Sequence, residues 1–185
     1  MKVSVYLGSS TICLEEYNTL AFELGRRLAE DGHTVVYGGS DVGTMKYLAD
    51  GAQSVGGKII GVFPEGFAGT VEVAGQKIMR DNLDEMILTR DFAHRKKVME
   101  DLSDCCVILP GSFGTLDELF DYACRKSIGK HQKGIYILNY KGFYTPLLDL
   151  IENMRQARFF KPSTKGVLCF CNSLEEVMGH ISVKA

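Results

Sequence analysis

Apolar residues in this 185-residue chain fall into short continuous runs. Each run is followed by a glycine-bearing or polar turn and then by a longer stretch whose apolar positions recur with helical spacing. Continuous apolar runs mark strands buried on both faces, and helical recurrence marks helices with one face on a core. Lys2–Leu7 reads as the first strand and Leu14–Glu30 as a helix with Tyr17, Leu20, Ala21, Leu24 and Leu28 on one face. "HTVVYGG" (33–39) is a second strand, Gly43–Val55 a helix carrying Met45, Leu48, Ala49 and Ala52, and "KIIGVFP" (58–64) a third strand. Residues 64–80 read as irregular, with a strand near Glu85–Leu88 after them. Phe92–Leu102 is a helix, "CCVILP" (105–110) a strand and Thr115–Ile128 a helix. "GIYILN" (134–139), Tyr144–Ala157, "GVLCFC" (166–171) and "SLEEVMGHI" (173–181) continue the alternation.

This alternation implies an α/β fold: a single domain, residues 1–185, on a doubly wound, Rossmann-like parallel sheet with helices on both faces. A closed eight-stranded barrel takes about 250 residues. In an open sheet, ligands sit beyond the carboxyl ends of the strands, near the point where strand order reverses. The turns that matter are therefore Gly8-Ser9-Ser10, Gly38–Gly43, Pro64-Glu65 and Pro110–Gly114.

Composition narrows the classes. A formal charge of −2 with 45% hydrophobic residues offers no basic footprint for nucleic acid. The longest basic cluster is Arg95-Lys96-Lys97, inside one helix. No apolar run approaches the ~20 residues of a membrane span, and the chain opens directly on a strand, so the expectation is a soluble, cytoplasmic protein without a membrane partner. The six cysteines, at 13, 105, 106, 124, 169 and 171, lie mainly in apolar strand-like runs. With no C-x-x-C pair and no zinc-like Cys/His spacing, they read as buried, reduced thiols and no metal site is expected. His94, His131 and His180 read as surface or hydrogen-bonded residues.

The first turn is not G-x-G-x-x-G, and G-x-x-x-x-G-K-[ST] is missing, which argues against an NAD dehydrogenase and a P-loop phosphotransferase. "YGGSDVG" (37–43) and "PGSFGT" (110–115) each join a buried strand to a helix. Such turns bring backbone N–H groups and a helix N-terminus close to an anion, or simply make tight connections. Glu118 has two readings. Thr115-x-x-Glu118 matches a capping box, as Ser173-x-x-Glu176 does; alternatively Glu118 is a working carboxylate beside the loop. Arg95 falls between Phe92 and Met99 in the inward stripe of its helix. There it either meets a carboxylate or phosphate or snorkels outward. Lys96 flanks the same stripe and Lys97 points away. The glycine-rich segment 64–75 reads as a mobile rim over a pocket.

"YGGSDVG", "HRKKVM" and "PGSFGTLDEL", in this order and at these separations, resemble the LOG family of nucleotide phosphoribohydrolases, and the likeness runs over nearly the whole chain. The resemblance implies a homodimer that cleaves the N-glycosidic bond of a purine nucleoside 5′-monophosphate, of cytokinin type or AMP, into free base and ribose 5-phosphate. It places the catalytic pair on Arg95 and Glu118. Phosphate and substrate contacts fall on Gly8 and Ser9, on Gly38, Gly39, Ser40 and Gly43, on Lys96, and on Pro110, Gly111, Ser112, Phe113, Gly114 and Thr115. No cofactor is implied. Ser40 and Ser112 stand where the family carries glycine, Lys46 where glycine is usual, and "FAH" precedes Arg95 in place of the common pattern. Where a backbone must be left-handed, serine costs about 1–2 kcal/mol; otherwise its hydroxyl can serve the phosphate. The rival reading is a non-catalytic carrier of a nucleotide or of the molybdenum cofactor on the same fold.

Overall fold

A computed structural model describes residues 1–67, 72–73, 76–160, 164 and 166–182. Seven strands form one parallel sheet: β1 (Lys2–Tyr6), β2 (Thr34–Tyr37), β3 (Ile59–Pro64), β6 (Glu85–Thr89), β7 (Cys105–Ile108), β8 (Gly134–Leu138) and β9 (Cys169–Cys171). Two further short strands, β4 (Glu72–Val73) and β5 (Gln76–Lys77), pair antiparallel with each other. The helices are α1 (Glu15–Glu30), α2 (Gly43–Ser54), α3 (Phe92–Leu102), α4 (Phe113–Ser127), α5 (Thr145–Gln156) and α6 (Leu174–Ser182).

Strand order across the sheet is β6-β3-β2-β1-β7-β8-β9. The chain winds outward from β1 to β6, then returns to the other side of β1 and winds outward again. Strand order therefore reverses between β1 and β7, and the doubly wound expectation holds. The register pairs Tyr6 with Ile108, and the Leu109 N–H donates to the Tyr6 carbonyl at 3.0 Å, so both strands release their chains side by side.

Alternation along the strands splits the core in two. Val3, Val5 and Leu7 pack with Leu24, Leu48 and Val177 from α1, α2 and α6. Tyr6, Val36 and Ile108 pack on the opposite face with Met99 of α3, Leu119 and Tyr122 of α4, and Leu147 of α5. Among the described residues no helix is long and apolar enough to cross a membrane.

Two expectations need correction and a third falls partly outside the described residues. Residues 64–80 are not wholly irregular: a 3-10 turn at Glu65–Phe67 and the β4–β5 pair fall within them, because backbone groups there pair locally. The expected mobile rim lies partly outside the described residues, at 68–71 and 74–75. All six cysteines are free thiols, but only Cys105, Cys106 and Cys171 are buried; Cys13 and Cys169 are half-buried, and Cys124 is exposed on the outer face of α4.

Candidate active site

The reversal point is shaped by close backbone approach. Gly43 opens α2 with φ +55°, and a Cβ there would lie 2.5 Å from the Ser9 carbonyl carbon. Only glycine meets both demands. Next to it, the Thr44 hydroxyl donates to the Gly8 carbonyl at 2.6 Å, tying the turn after β1 to the start of α2. On the other side, Gly8 faces Gly111 across the gap between β1 and β7.

The turn after β7 settles the role of Glu118 in the fold. Helix α4 begins at Phe113 with Ser112 as its N-cap residue, two positions earlier than the sequence spacing implied. Thr115 is therefore inside the first turn, buried directly under Gly111, where an added Cβ would lie 2.1 Å from the Thr115 Oγ1. The capping box at Thr115-x-x-Glu118 does not form, because Thr115 is no longer the cap. At Ser173-x-x-Glu176 the cap half of the box forms, the Glu176 N–H donating to the Ser173 hydroxyl at 3.2 Å, while the Glu176 carboxylate accepts from the Asn172 N–H at 2.7 Å, one residue before the cap. Ser112 makes no side-chain cap bond and α4 has no acidic residue in its first turn. The N–H groups that open α4 have no carbonyl within the helix to bond, and the helix dipole makes this end attractive to an anion.

Glu118 instead meets Arg95. Asp91 caps α3 by accepting the His94 N–H at 2.7 Å, and Arg95 follows one position later on the face turned toward α4. The Arg95 guanidinium donates to the Glu118 carboxylate as a buried ion pair, with side chains 12% and 5% exposed. Its carbon lies 5.0 Å from the Phe92 ring centroid, and Nη1 lies 3.3 Å from where a Gly38 Cβ would be. The inward reading of Arg95 thus holds over the snorkelling one. Burial pushes the Glu118 carboxyl up to about 7; Arg95 and Lys96 oppose the rise and Asp117 adds to it. Desolvation therefore outweighs the attached cation, which makes Glu118, on the wall of a cleft, a functional-site candidate. The Nε of Arg95 is buried without a protein partner.

A cleft of about 300 Å³ opens beside this pair. Of the residues expected from sequence, Gly8, Ser9, Ser40, Arg95, Ser112, Gly114, Thr115 and Glu118 line it. Gly38, Gly39, Gly43, Pro110, Gly111 and Phe113 are not on its wall; the glycines and Pro110 shape the turns behind it, and Phe113 points to solvent at 90% exposure. Lys96 is also off the wall, because its ammonium bonds both Asp117 oxygens at 2.9–3.0 Å. Glu100 is buried and pairs with Arg125 at 2.6 Å, so three ion pairs lace α3 to α4 and hold Arg95 against Glu118. Neither serine carries the left-handed cost, since Ser112 has φ −107° and the only described non-glycine residues with positive φ are Lys141 and Arg158. Gly39, at φ +72°, takes the left-handed position beside Ser40.

The opposite wall is apolar: Val42, Met45, Phe63 and Ile78 with Pro64 and Phe92. Pro64, at the end of a strand, and Val42, inside the Gly38–Gly43 turn, had a sequence signal; Met45 read as core. Ile78 arrives through long-range pairing, with the Asp41 N–H on its carbonyl at 2.6 Å and the Arg80 N–H on the Gly39 carbonyl at 3.0 Å.

Comparison with known proteins follows the same lines. A family model described as "Possible lysine decarboxylase" matches residues 45–181. The chain is 34% identical to a cytokinin riboside 5′-monophosphate phosphoribohydrolase of Rhodococcoides fascians, over 97% of this chain and 88% of that protein. It is 30% identical to a protein of the same description, LOG5, from Arabidopsis thaliana, over 96% and 75%. In fold it is similar to a molybdenum cofactor carrier protein of Chlamydomonas reinhardtii, with TM-score 0.72 and 20% identity over 98% of this chain and 96% of that one. A molybdenum cofactor binding protein of Rippkaea orientalis gives 0.71 and 21% over 99% and 96%. At that identity the two structures speak for the fold alone, whereas the family model and the sequence relatives agree over most of the chain: it belongs to the LOG family.

Proposed function

We propose that the protein hydrolyses the N-glycosidic bond of a purine nucleoside 5′-monophosphate, releasing free base and ribose 5-phosphate. The observation that carries this reading is the buried Arg95–Glu118 pair standing one helical turn behind an uncapped helix N-terminus, both on one cleft at the strand-order reversal. The start of α4 takes the 5′-phosphate, with the Ser112 and Thr115 hydroxyls beside it. Glu118 then faces the sugar. Loss of the base passes through an oxocarbenium-like transition state, and a desolvated carboxylate stabilises the developing cation strongly. With its pKa near 7, Glu118 is also matched to take a proton from the attacking water at neutral pH. Arg95 fixes the carboxylate and, through its unpartnered Nε, offers a donor to the substrate. No metal or organic cofactor is needed for these steps.

The apolar wall of Val42, Met45, Phe63 and Ile78 favours a purine, and the names of the sequence relatives favour one of cytokinin type. A carrier would need the phosphate grip but would have no use for a buried carboxylate at the glycosidic carbon. The family description speaks of lysine decarboxylation, but among the described residues lining the cleft no lysine stands beside the Arg95–Glu118 pair. We further infer a homodimer, supported by the apolar stripe Phe113, Leu116 and Phe120 along α4, whose two phenylalanines are 90% and 40% exposed. The six free thiols support a reducing, cytoplasmic setting.

Incubation with AMP, with its N6-isopentenyl analogue and with adenosine tests the reading, with products separated by chromatography. Equimolar free base and ribose 5-phosphate from one or both nucleotides, with adenosine cleaved far more slowly, is the expected result. Equal cleavage of adenosine would remove the phosphate site from the account; no cleavage of either nucleotide would remove the enzyme.

A further inference from the structure

At the far edge of the sheet lies a cluster unrelated to the cleft. Cys169 and Cys171 are two residues apart on β9, so their side chains share one face of the strand. Helix α6 covers that face and brings His180 from its last turn. Cys169 Sγ lies 3.4 Å from His180 Nε2, and the two sulfurs and one His nitrogen all lie within 4.8 Å of one another. The imidazole is held in place by stacking on Tyr136, with centroids 5.2 Å apart and planes 10° from parallel. Among the described residues, no other three such side chains gather this closely.

We propose that Cys169, Cys171 and His180 form a binding site for a soft divalent cation of the zinc class. Two sulfurs and an imidazole select zinc over magnesium or calcium, which take oxygen ligands. Around a tetrahedral zinc, with Zn–S ~2.3 Å and Zn–N ~2.0 Å, ligand atoms sit roughly 3.5–3.8 Å apart. The Cys169–His180 separation of 3.4 Å already matches that and all three atoms lie within 4.8 Å of one another, so binding requires side-chain adjustment of about 1 Å or less. On binding, the two thiols release their protons to solvent, both sulfurs become thiolate ligands and the neutral imidazole donates through Nε2. Water completes the shell. Access is from the His180 side, since Cys171 is buried, Cys169 half-buried and His180 exposed. The spacing Cys-x-Cys with a distant histidine matches no zinc-finger pattern, which is why the sequence alone pointed away from a metal. The bound ion would pin edge strand β9 to α6. The proposal is independent of the nucleotide chemistry.

The test uses the full chain, reduced and free of metal, titrated anaerobically with Co²⁺ and then with Zn²⁺. The expected result is a thiolate-to-cobalt charge-transfer band that saturates at one equivalent and is abolished by Zn²⁺. Cys169→Ser and His180→Ala, neither fully buried, should each weaken Zn²⁺ binding by more than roughly 100-fold, since losing even an outer partner of a metal ligand costs 10–100-fold. Cys124→Ser, on the exposed face of α4, should bind as wild type. Thermal unfolding without metal separates lost ligation from lost fold. Absence of the charge-transfer band, or Zn²⁺ binding unchanged in Cys169→Ser and His180→Ala, would overturn the proposal.

Discussion

Replacing Arg95 with methionine separates the effect of its charge on Glu118 from the effect of its bulk. In the wild type, burial raises the Glu118 carboxyl to about 7 while Arg95 holds it down. A charge pair about 4 Å apart at an effective dielectric near 20 is worth about 4 kcal/mol. At 1.36 kcal/mol per pH unit, losing it moves Glu118 up by about three pH units. At pH 7 the ionised fraction falls from about one half to about one in a thousand, so kcat/KM drops several hundredfold through protonation alone. The assay is the pH profile of kcat/KM. The wild type should show an acid limb near 7, Arg95→Met a limb shifted upward by about three pH units, and Arg95→Lys a limb within about one pH unit of wild type, because lysine keeps the charge. Carbon-13 NMR titration of labelled glutamate side chains reads the same shift without turnover. An unmoved limb in Arg95→Met, or a wild-type Glu118 titrating in the ordinary range near 4.5, would refute the reasoning.

Four further outcomes follow from the same geometry. Glu118→Gln should gain stability relative to wild type as pH rises. The wild-type carboxyl is raised in the folded state, so its penalty is absent below about 4.5 and complete above about 7. The gap should widen across that window by up to about 3 kcal/mol, read from urea unfolding at a series of pH values. Gly111→Ala drives a Cβ into Thr115 and should cost about 1–3 kcal/mol of stability and most of the activity. Gly114→Ala, where an added Cβ meets nothing within 4 Å, should leave thermal unfolding nearly unchanged. Phe113→Asp together with Phe120→Asp should shift the species seen by analytical ultracentrifugation from dimer toward monomer.

The sheet was legible because its strands are buried on both faces and read as unbroken apolar runs, so β7 and β8 stand out without any alignment. Arg95 was legible for a related reason: a charge inside an inward stripe has few ways to be satisfied. Glu118 was not, because Thr115-x-x-Glu118 spells a capping box in sequence, and only in the fold does α4 start at Phe113 behind Ser112, with Thr115 packed beneath Gly111. The position of Lys96 off the cleft wall was not legible, because it depends on Asp117, a partner on another helix. The apolar wall was invisible in part because Ile78 and Met79 reach Asp41 and Ser40 by pairings across more than thirty residues. The Cys169–Cys171–His180 cluster failed a spacing test for the same reason: a strand and a helix brought it together, not a local turn.

The most direct test of the account is release of free base from AMP and its N6-isopentenyl analogue by wild type beside Glu118→Gln, with both proteins shown to be folded. The account predicts measurable turnover of at least one nucleotide by wild type, falling by at least about 100-fold in the variant, the scale for removing one positioned acid–base group. Equal rates in the two proteins, or no base released by either, would contradict it.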